Sequence, residues 1–193
     1  MKTLFKRTFI GHHVENTTNE VTEGCEWVLN GEGIATQKLD GTCCLIKDGK
    51  LFARFDYKVG RKLPDGAIPC QEEPDEVTGH FPHWVEVKDQ PHYKWHKKAF
   101  ENMKNSMDLE DGTYELIGNH FQNNPEHVEQ GDILVKHGSI ILDNVPRTFE
   151  GIKEYLRTHE IEGIVFHREN GDMCKIKRTD FNFEWNGRTF KQQ

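Results

Sequence analysis

Two dipeptides, Asp48-Gly49 and Asn170-Gly171, constrain the fold of this chain more than any other feature, because short strand-like runs flank each of them. Leu45-Ile46-Lys47 precedes the first and Lys50 to Phe55 follows it, which reads as a hairpin closed by a tight turn. Gly163 to His167 and Met173 to Lys177 flank the second in the same way. With Asn170-Gly171 as a two-residue turn, Glu169 pairs with Asp172, Phe166 with Lys175 and Ile164 with Lys177. Directly opposed residues share a face, as do residues two apart on one strand. Glu162, Ile164, Phe166, Lys175 and Lys177 are therefore expected on one surface.

Helical signals are fewer. His92 to Lys104 carries Tyr93, Trp95, Ala99, Phe100 and Met103 as a loose apolar face. Thr148 is placed to cap a second helix, with Phe149, Ile152, Tyr155 and Leu156 along one side. Leu63 to Gly79 is rich in Pro, Gly and acid and reads as a long loop or small insertion. There is no internal repeat, low-complexity tract or linker. The pattern predicts an α+β fold dominated by antiparallel strands, with 1–193 as a single domain.

Composition narrows the class. A chain of 193 residues can bury a sizeable core, and 35% hydrophobic with 30% charged residues reads as soluble and globular. No apolar run approaches the roughly 20 residues that span a bilayer, and Met1 to Arg7 lacks the apolar stretch of a signal peptide. The cysteines at 25, 43, 44, 70 and 174 are odd in number and lack C-x-x-C spacing. That predicts reduced thiols in a cytoplasmic setting and neither a disulfide framework nor a cysteine zinc site. A net charge of −7 argues against nucleic-acid binding through the whole surface. It leaves three local basic patches: Arg54, Lys58, Arg61 and Lys62; Lys94, Lys97 and Lys98; Lys175, Lys177 and Arg178.

The chemistry comes from an ordered set. Lys38-Leu39-Asp40-Gly41 is followed by Glu115-Leu116-Ile117-Gly118, then Glu162-Gly163-Ile164-Val165, then Lys175-Ile176-Lys177. A lysine in a K-x-D-G turn is a candidate amine nucleophile, but at a reference pKa of about 10.4 only about one amine in 2,500 is neutral at pH 7. Burial and neighbouring cations both favour the neutral amine. Lys175, Lys177 and a bound divalent metal are candidates for those cations, and the same charges would stabilise phosphoryl oxygens in a transition state. Glu162 is a candidate metal or second-sphere carboxylate, and Glu115 a candidate for the metal or for ribose hydroxyls. Arg54 is placed to bind a phosphate through its planar fork. Phe121 is read either as a core aromatic or as a platform for a base. Together these residues point to covalent nucleotidyl transfer.

The set resembles motifs I, III, IV and V of covalent nucleotidyltransferases, the superfamily of polynucleotide ligases and mRNA capping enzymes. Within it, Lys38 to Cys44 is similar to the K-V/L-D-G-T-C-C motif of the stand-alone 5′–3′ RNA ligase family. Phe52-Ala53-Arg54, Leu116-Ile117-Gly118 with Asn124-Pro125, Lys136-His137-Gly138 and Glu162 to His167 also look like segments of that family. The resemblance implies an ATP-grasp-like adenylation domain of antiparallel sheets with flanking helices, ATP with Mg²⁺ or Mn²⁺, and an RNA substrate carrying 5′-phosphate and 3′-hydroxyl ends. It makes Lys38 the nucleophile, Glu115 and Glu162 the essential carboxylates and metal-side residues, and Lys177 the motif V lysine. Lys175 falls where members of the family can carry an apolar residue. Lys38, Asp40, Gly41, Arg54, Glu115, Phe121, Lys175 and Lys177 are then the nucleotide-binding candidates, with Asp40 ordering the motif I loop. The chain ends at Gln193, soon after Lys177, so no OB-fold domain is expected.

Other signals are weaker. His80-x2-His83 with His92-x3-His96 has zinc-compatible spacing, but thiolates dominate structural zinc sites. This segment is assigned instead to packing beside the nucleotide or RNA. Phe183 and Trp185 are expected to close the core. Two other functions fit the same residues: a nucleotidyltransferase that modifies another acceptor, and a catalytically silent RNA-binding relative.

Overall fold

The computed structural model describes residues 1–11, 13–58, 60, 62–75 and 79–187. In chain order the strands are β1 (Lys2–Thr3), β2 (Phe5–Ile10), β3 (His13–Val21), β4 (Ile34–Lys38), β5 (Thr42–Lys47), β6 (Lys50–Lys58), β7 (Ile68–Pro69), β8 (His80–Glu86), β9 (Gly112–Gly118), β10 (Asp132–Lys136), β11 (Gly163–His167) and β12 (Met173–Lys177). The helices are α1 (Glu26–Leu29), α2 (Lys94–Lys104) and α3 (Phe149–Thr158). The fold is thus α+β, largely antiparallel, as the turn signals predict. The chain divides into two compact units, Met1–Leu39 with Gly138–Gln193, and Asp40–His137.

The first unit is built on a four-stranded sheet in the order β1-β12-β11-β4, in which β1 runs parallel to β12 and the other pairs are antiparallel. Ile164, Phe166, Cys174 and Ile176 are all fully buried and share a core with Leu4, Phe5, Ile152 and Leu156. Helix α3 supplies the last two from its apolar face. Its start is fixed by Thr148, whose Oγ1 accepts the Gly151 N–H at 3.2 Å. Arg178 closes its end by donating to the carbonyls of Leu156 and His159 at 2.6 and 2.5 Å. Arg178 is therefore a structural member of its basic patch. Phe183 packs against the same core and Trp185 is buried. Strands β2 and β3 form a separate hairpin.

The register of β11 and β12 departs from the sequence expectation by one residue. Gly163 pairs with Lys177, Ile164 with Ile176, Val165 with Lys175 and Phe166 with Cys174. A two-residue turn would need both Asn170 and Gly171 in the left-handed region, and only Gly171 is there, at φ 91°. Asn170 instead accepts the Asp172 N–H on its side-chain oxygen at 3.0 Å. Three residues therefore lie between Arg168 and Asp172, whose backbones are bonded at 2.9 Å. A one-residue shift moves every side chain to the other face. Ile164 and Phe166 point into the core, and Lys175 and Lys177 occupy the opposite face.

The second unit is a six-stranded sheet in the order β10-β9-β5-β6-β8-β7. The Asp48-Gly49 hairpin forms as expected, with Lys47 opposite Lys50 and both turn residues at positive φ, 51° and 70°. One face carries Cys44, Ile46, Leu51, Tyr114, Leu116 and Leu134, packed with Ala99, Trp95, Phe100 and Met103 of α2. The expected helix begins as a 3-10 turn over Pro91–Tyr93 before α2. Among the described residues of the Leu63 to Gly79 loop, the short edge strand β7 pairs with β8. Of the first basic patch, Arg61 lies outside the described residues.

Candidate active site

In the first unit the sheet presents one face of chemistry. Lys38 at the end of β4 lies opposite Gly163, which lies opposite Lys177, so the two lysines flank a residue with no side chain. The next row is Thr36, Val165 and Lys175. Alternation along three adjacent strands thus puts Lys38, Lys175 and Lys177 on a single face. Glu162, directly before β11, is not part of the Ile164 face expected from sequence. Its Oε2 accepts a hydrogen bond from Lys38 Nζ at 2.5 Å, with the two side chains only 22% and 10% exposed. Burial in this setting lowers the Lys175 pKa from its ordinary value, and the nearby Lys38 and Lys177 charges lower it further. Lys177 donates its backbone N–H to Asp180, whose other oxygen holds Arg7 at 3.2 Å. His167, on the same face as Val165, sits 3.0 Å from the Thr36 hydroxyl. Sequence reading gave neither Thr36 nor His167 a role.

The second unit holds the remaining candidates around the start of its chain. The Asp40 N–H donates to Glu126 at 2.9 Å, the Gly41 N–H to Glu115 at 3.0 Å, and Gln122 donates to the Gly41 carbonyl at 3.4 Å. The turn that follows Leu39 is therefore gripped by three side chains. Gly41 is required there, since a Cβ would lie 2.2 Å from the Leu116 carbonyl oxygen. Glu126 and Gln122 come from the loop after β9, where Gln122, Asn123, Asn124 and His127 all adopt positive φ. No pattern in the sequence announces that loop geometry. Its anchor is Asn124, whose side chain bonds Asn119 and Val128.

Glu115 uses its second oxygen as well. Oε2 lies 2.9 Å from His137 Nε2, and Cys43 sits directly opposite Glu115 in the β5–β9 register. Among the described residues, Cys43, Glu115 and His137 bring ligand-type atoms within 4.8 Å of one another. The Lys136-His137-Gly138 segment contains His137, but no sequence pattern gives it a role. Arg54, on the adjacent strand β6, is exposed and pairs with Asp56 at 3.3 Å. Phe121 is buried in the core of this unit, edge-on to His96 with ring centres 5.0 Å apart. Of the histidine segment, His83 is buried with Nδ1 2.7 Å from the Phe81 carbonyl. Burial holds His96 down to a pKa of about 4.

All five cysteines are thiols. Among the described residues no helix is long and apolar enough to cross a membrane.

Comparison with known proteins leads in the same direction. The family model described as RNA ligase 1 matches residues 102–191, a segment that contains Glu115, Glu162, Lys175 and Lys177 and begins after Lys38. RNA ligase 1 of Pongo abelii is 27% identical, over 79% of this chain and 68% of its own length. That of Rattus norvegicus is 26% identical over the same shares, and that of Danio rerio 26% over 78% and 68%. The chain is thus similar to RNA ligase 1 proteins over most of its length, at about a quarter identity.

Proposed function

We propose that this chain, a relative of RNA ligase 1 proteins, is an ATP-dependent RNA ligase that works through a lysyl-AMP intermediate on Lys38. The observation that carries the reading is the face on which Lys38, Lys175 and Lys177 stand together with the Glu162 carboxylate against the amine. Two cations beside a nucleophilic amine suit attack on a triphosphate, because they attract the phosphoryl oxygens.

ATP is a substrate in this scheme. Lys38 Nζ attacks the α-phosphorus, a nitrogen–phosphorus bond forms, pyrophosphate leaves, and the amine gives up its proton. A 5′-phosphate oxygen of RNA then takes AMP from the lysine, which regains its proton. The 3′-hydroxyl of the other RNA end attacks the 5′-phosphorus, AMP departs, and the phosphodiester is sealed. For the first step Lys38 must leave its contact with Glu162. Lys177 and Lys175 would hold the phosphate oxygens; Arg54, within the second unit, is a separate candidate for phosphate. Glu162 in the first unit, and separately Glu115 in the second, is a hard oxygen donor of the kind that Mg²⁺ or Mn²⁺ takes, and such an ion would neutralise phosphate charge. The grip of Glu115, Glu126 and Gln122 on Asp40 and Gly41 fixes the backbone that follows the nucleophile.

Incubation with α-labelled ATP and Mg²⁺ tests the reading. An acid-labile labelled protein is expected, absent in Lys38→Ala. Subsequent addition of 5′-phosphorylated RNA with a 3′-hydroxyl should discharge the label and yield joined RNA. No adduct, or one that survives Lys38→Ala, overturns the covalent mechanism. Discharge without joining favours another acceptor. Labelled GTP in a parallel reaction tests the base preference.

A further inference from the structure

We propose that Cys43, Glu115 and His137 form a binding site for a thiophilic divalent ion of the zinc class, distinct in chemistry from the Mg²⁺ that nucleotidyl transfer would use. The site stands on its donors alone and holds whether or not the chain is a ligase. Cys43 of β5 is directly opposite Glu115 of β9, and Glu115 is opposite Val135 of β10. His137 lies two residues beyond Val135 and keeps the strand pairing going through its N–H to the Thr113 carbonyl at 3.0 Å. All three side chains therefore leave the same face of one sheet, the face away from the buried Cys44, Tyr114 and Leu116.

The geometry is close to what coordination needs. Their donor atoms lie within 4.8 Å of one another, and His137 Nε2 is already 2.9 Å from Glu115 Oε2. Metal–ligand bonds of about 2.0 to 2.3 Å put the ligand atoms of a tetrahedral site roughly 3.3 to 3.7 Å apart. Rotamer adjustments of about 1 Å close the difference. The imidazole would carry its proton on Nδ1, and the thiol would lose its own to the solvent as the metal binds. Glu115 Oε1 keeps the Gly41 N–H at 3.0 Å, which fixes the carboxylate from behind, as supporting hydrogen bonds do for metal ligands. Cys43 and Glu115 are half-buried while His137 is 36% exposed in its side chain, so a fourth position faces water. A thiolate and an imidazole select zinc or cobalt over magnesium, whose preference is for oxygen. A hydrogen-bonded histidine–carboxylate pair alone would not require the sulfur that completes this set.

Titration of the untagged full chain with Co²⁺ in excess Mg²⁺ tests the site. One equivalent is expected to produce visible tetrahedral bands and a near-ultraviolet thiolate charge-transfer band, both erased by one equivalent of Zn²⁺. Cys43→Ser should lose the charge-transfer band, and His137→Ala should weaken binding at least tenfold. Alkylation of wild-type protein, mapped by mass spectrometry, gives a reading that needs no variant: Zn²⁺ should protect Cys43 and leave Cys70 reactive. Absence of the band at stoichiometric Co²⁺, its survival in Cys43→Ser, displacement by Mg²⁺, or equal alkylation of Cys43 with and without Zn²⁺ each overturns the proposal.

Discussion

The sheets of the two units solve the same problem in different ways. Each buries one face and leaves the other for chemistry. In the first unit that other face is a set of amines, with Lys38 and Lys177 facing each other across Gly163 and the Glu162 carboxylate bonded to the nucleophile candidate. In the second unit the other face carries Cys43, Glu115 and, two residues past β10's Val135, His137, while Glu115, Glu126 and Gln122 are committed to backbone groups of Asp40 and Gly41. One face gathers amines beside a carboxylate and the other uses an acid to hold a turn. An acidic residue in a motif can thus be architectural and reactive at once, and only its hydrogen-bond partners separate the roles.

The contrast can be broken at four points, in falling order of effect. Ile164→Asp places a carboxylate on the fully buried side of β11. It should cost roughly 5 kcal/mol and abolish a cooperative thermal transition in circular dichroism; a normal melt would restore the register in which Ile164 joins the lysine face. Gly41→Ala drives a Cβ toward the Leu116 carbonyl and should cost about 2 to 3 kcal/mol, read as a lower denaturation midpoint. Glu162→Gln keeps a hydrogen-bond acceptor beside Lys38 but removes the charge. Adduct formation from ATP should fall about ten- to a hundredfold, or about 1.4 to 2.7 kcal/mol, with the melting temperature little changed. Lys175→Met should stabilise the nucleotide-free protein by about 1 kcal/mol at neutral pH, since a half-buried cation is replaced by an apolar side chain of similar volume. The Lys175 pKa is lowered by folding, so the wild-type penalty is full below that lowered value. It fades as pH rises toward the unfolded value near 10.4, and the two melting curves should converge there.

Much of this was legible in the sequence, and the exceptions have local causes. The Asp48-Gly49 turn was read with the right register because both residues take the left-handed conformation that the dipeptide signals. Asn170-Gly171 carries the same signal, yet the Asn170 side chain bonds Asp172 and adds a residue to the loop. In the register that accompanies it, Ile164 and Phe166 lie in the core and not on the expected chemistry face. Lys38, Glu162, Lys175 and Lys177 were found by order and spacing, and the structure brings them together in the first unit. Strand β8 was hidden within a histidine-rich segment whose alternation is interrupted by Pro82. Glu126 and Gln122 reach the motif I turn only through a run of left-handed residues, which no short-range pattern encodes. Cys43 and His137 are brought together by strand pairing over a long stretch of chain, beyond any spacing rule.

On the mechanism proposed above, the contact between positions 38 and 162 would act as a catch that must open before the first step. A ligand rich in negative charge would compete with the carboxylate for the amine and release it. The rate of the first turnover would then report how readily that catch opens, separately from how fast phosphorus is attacked.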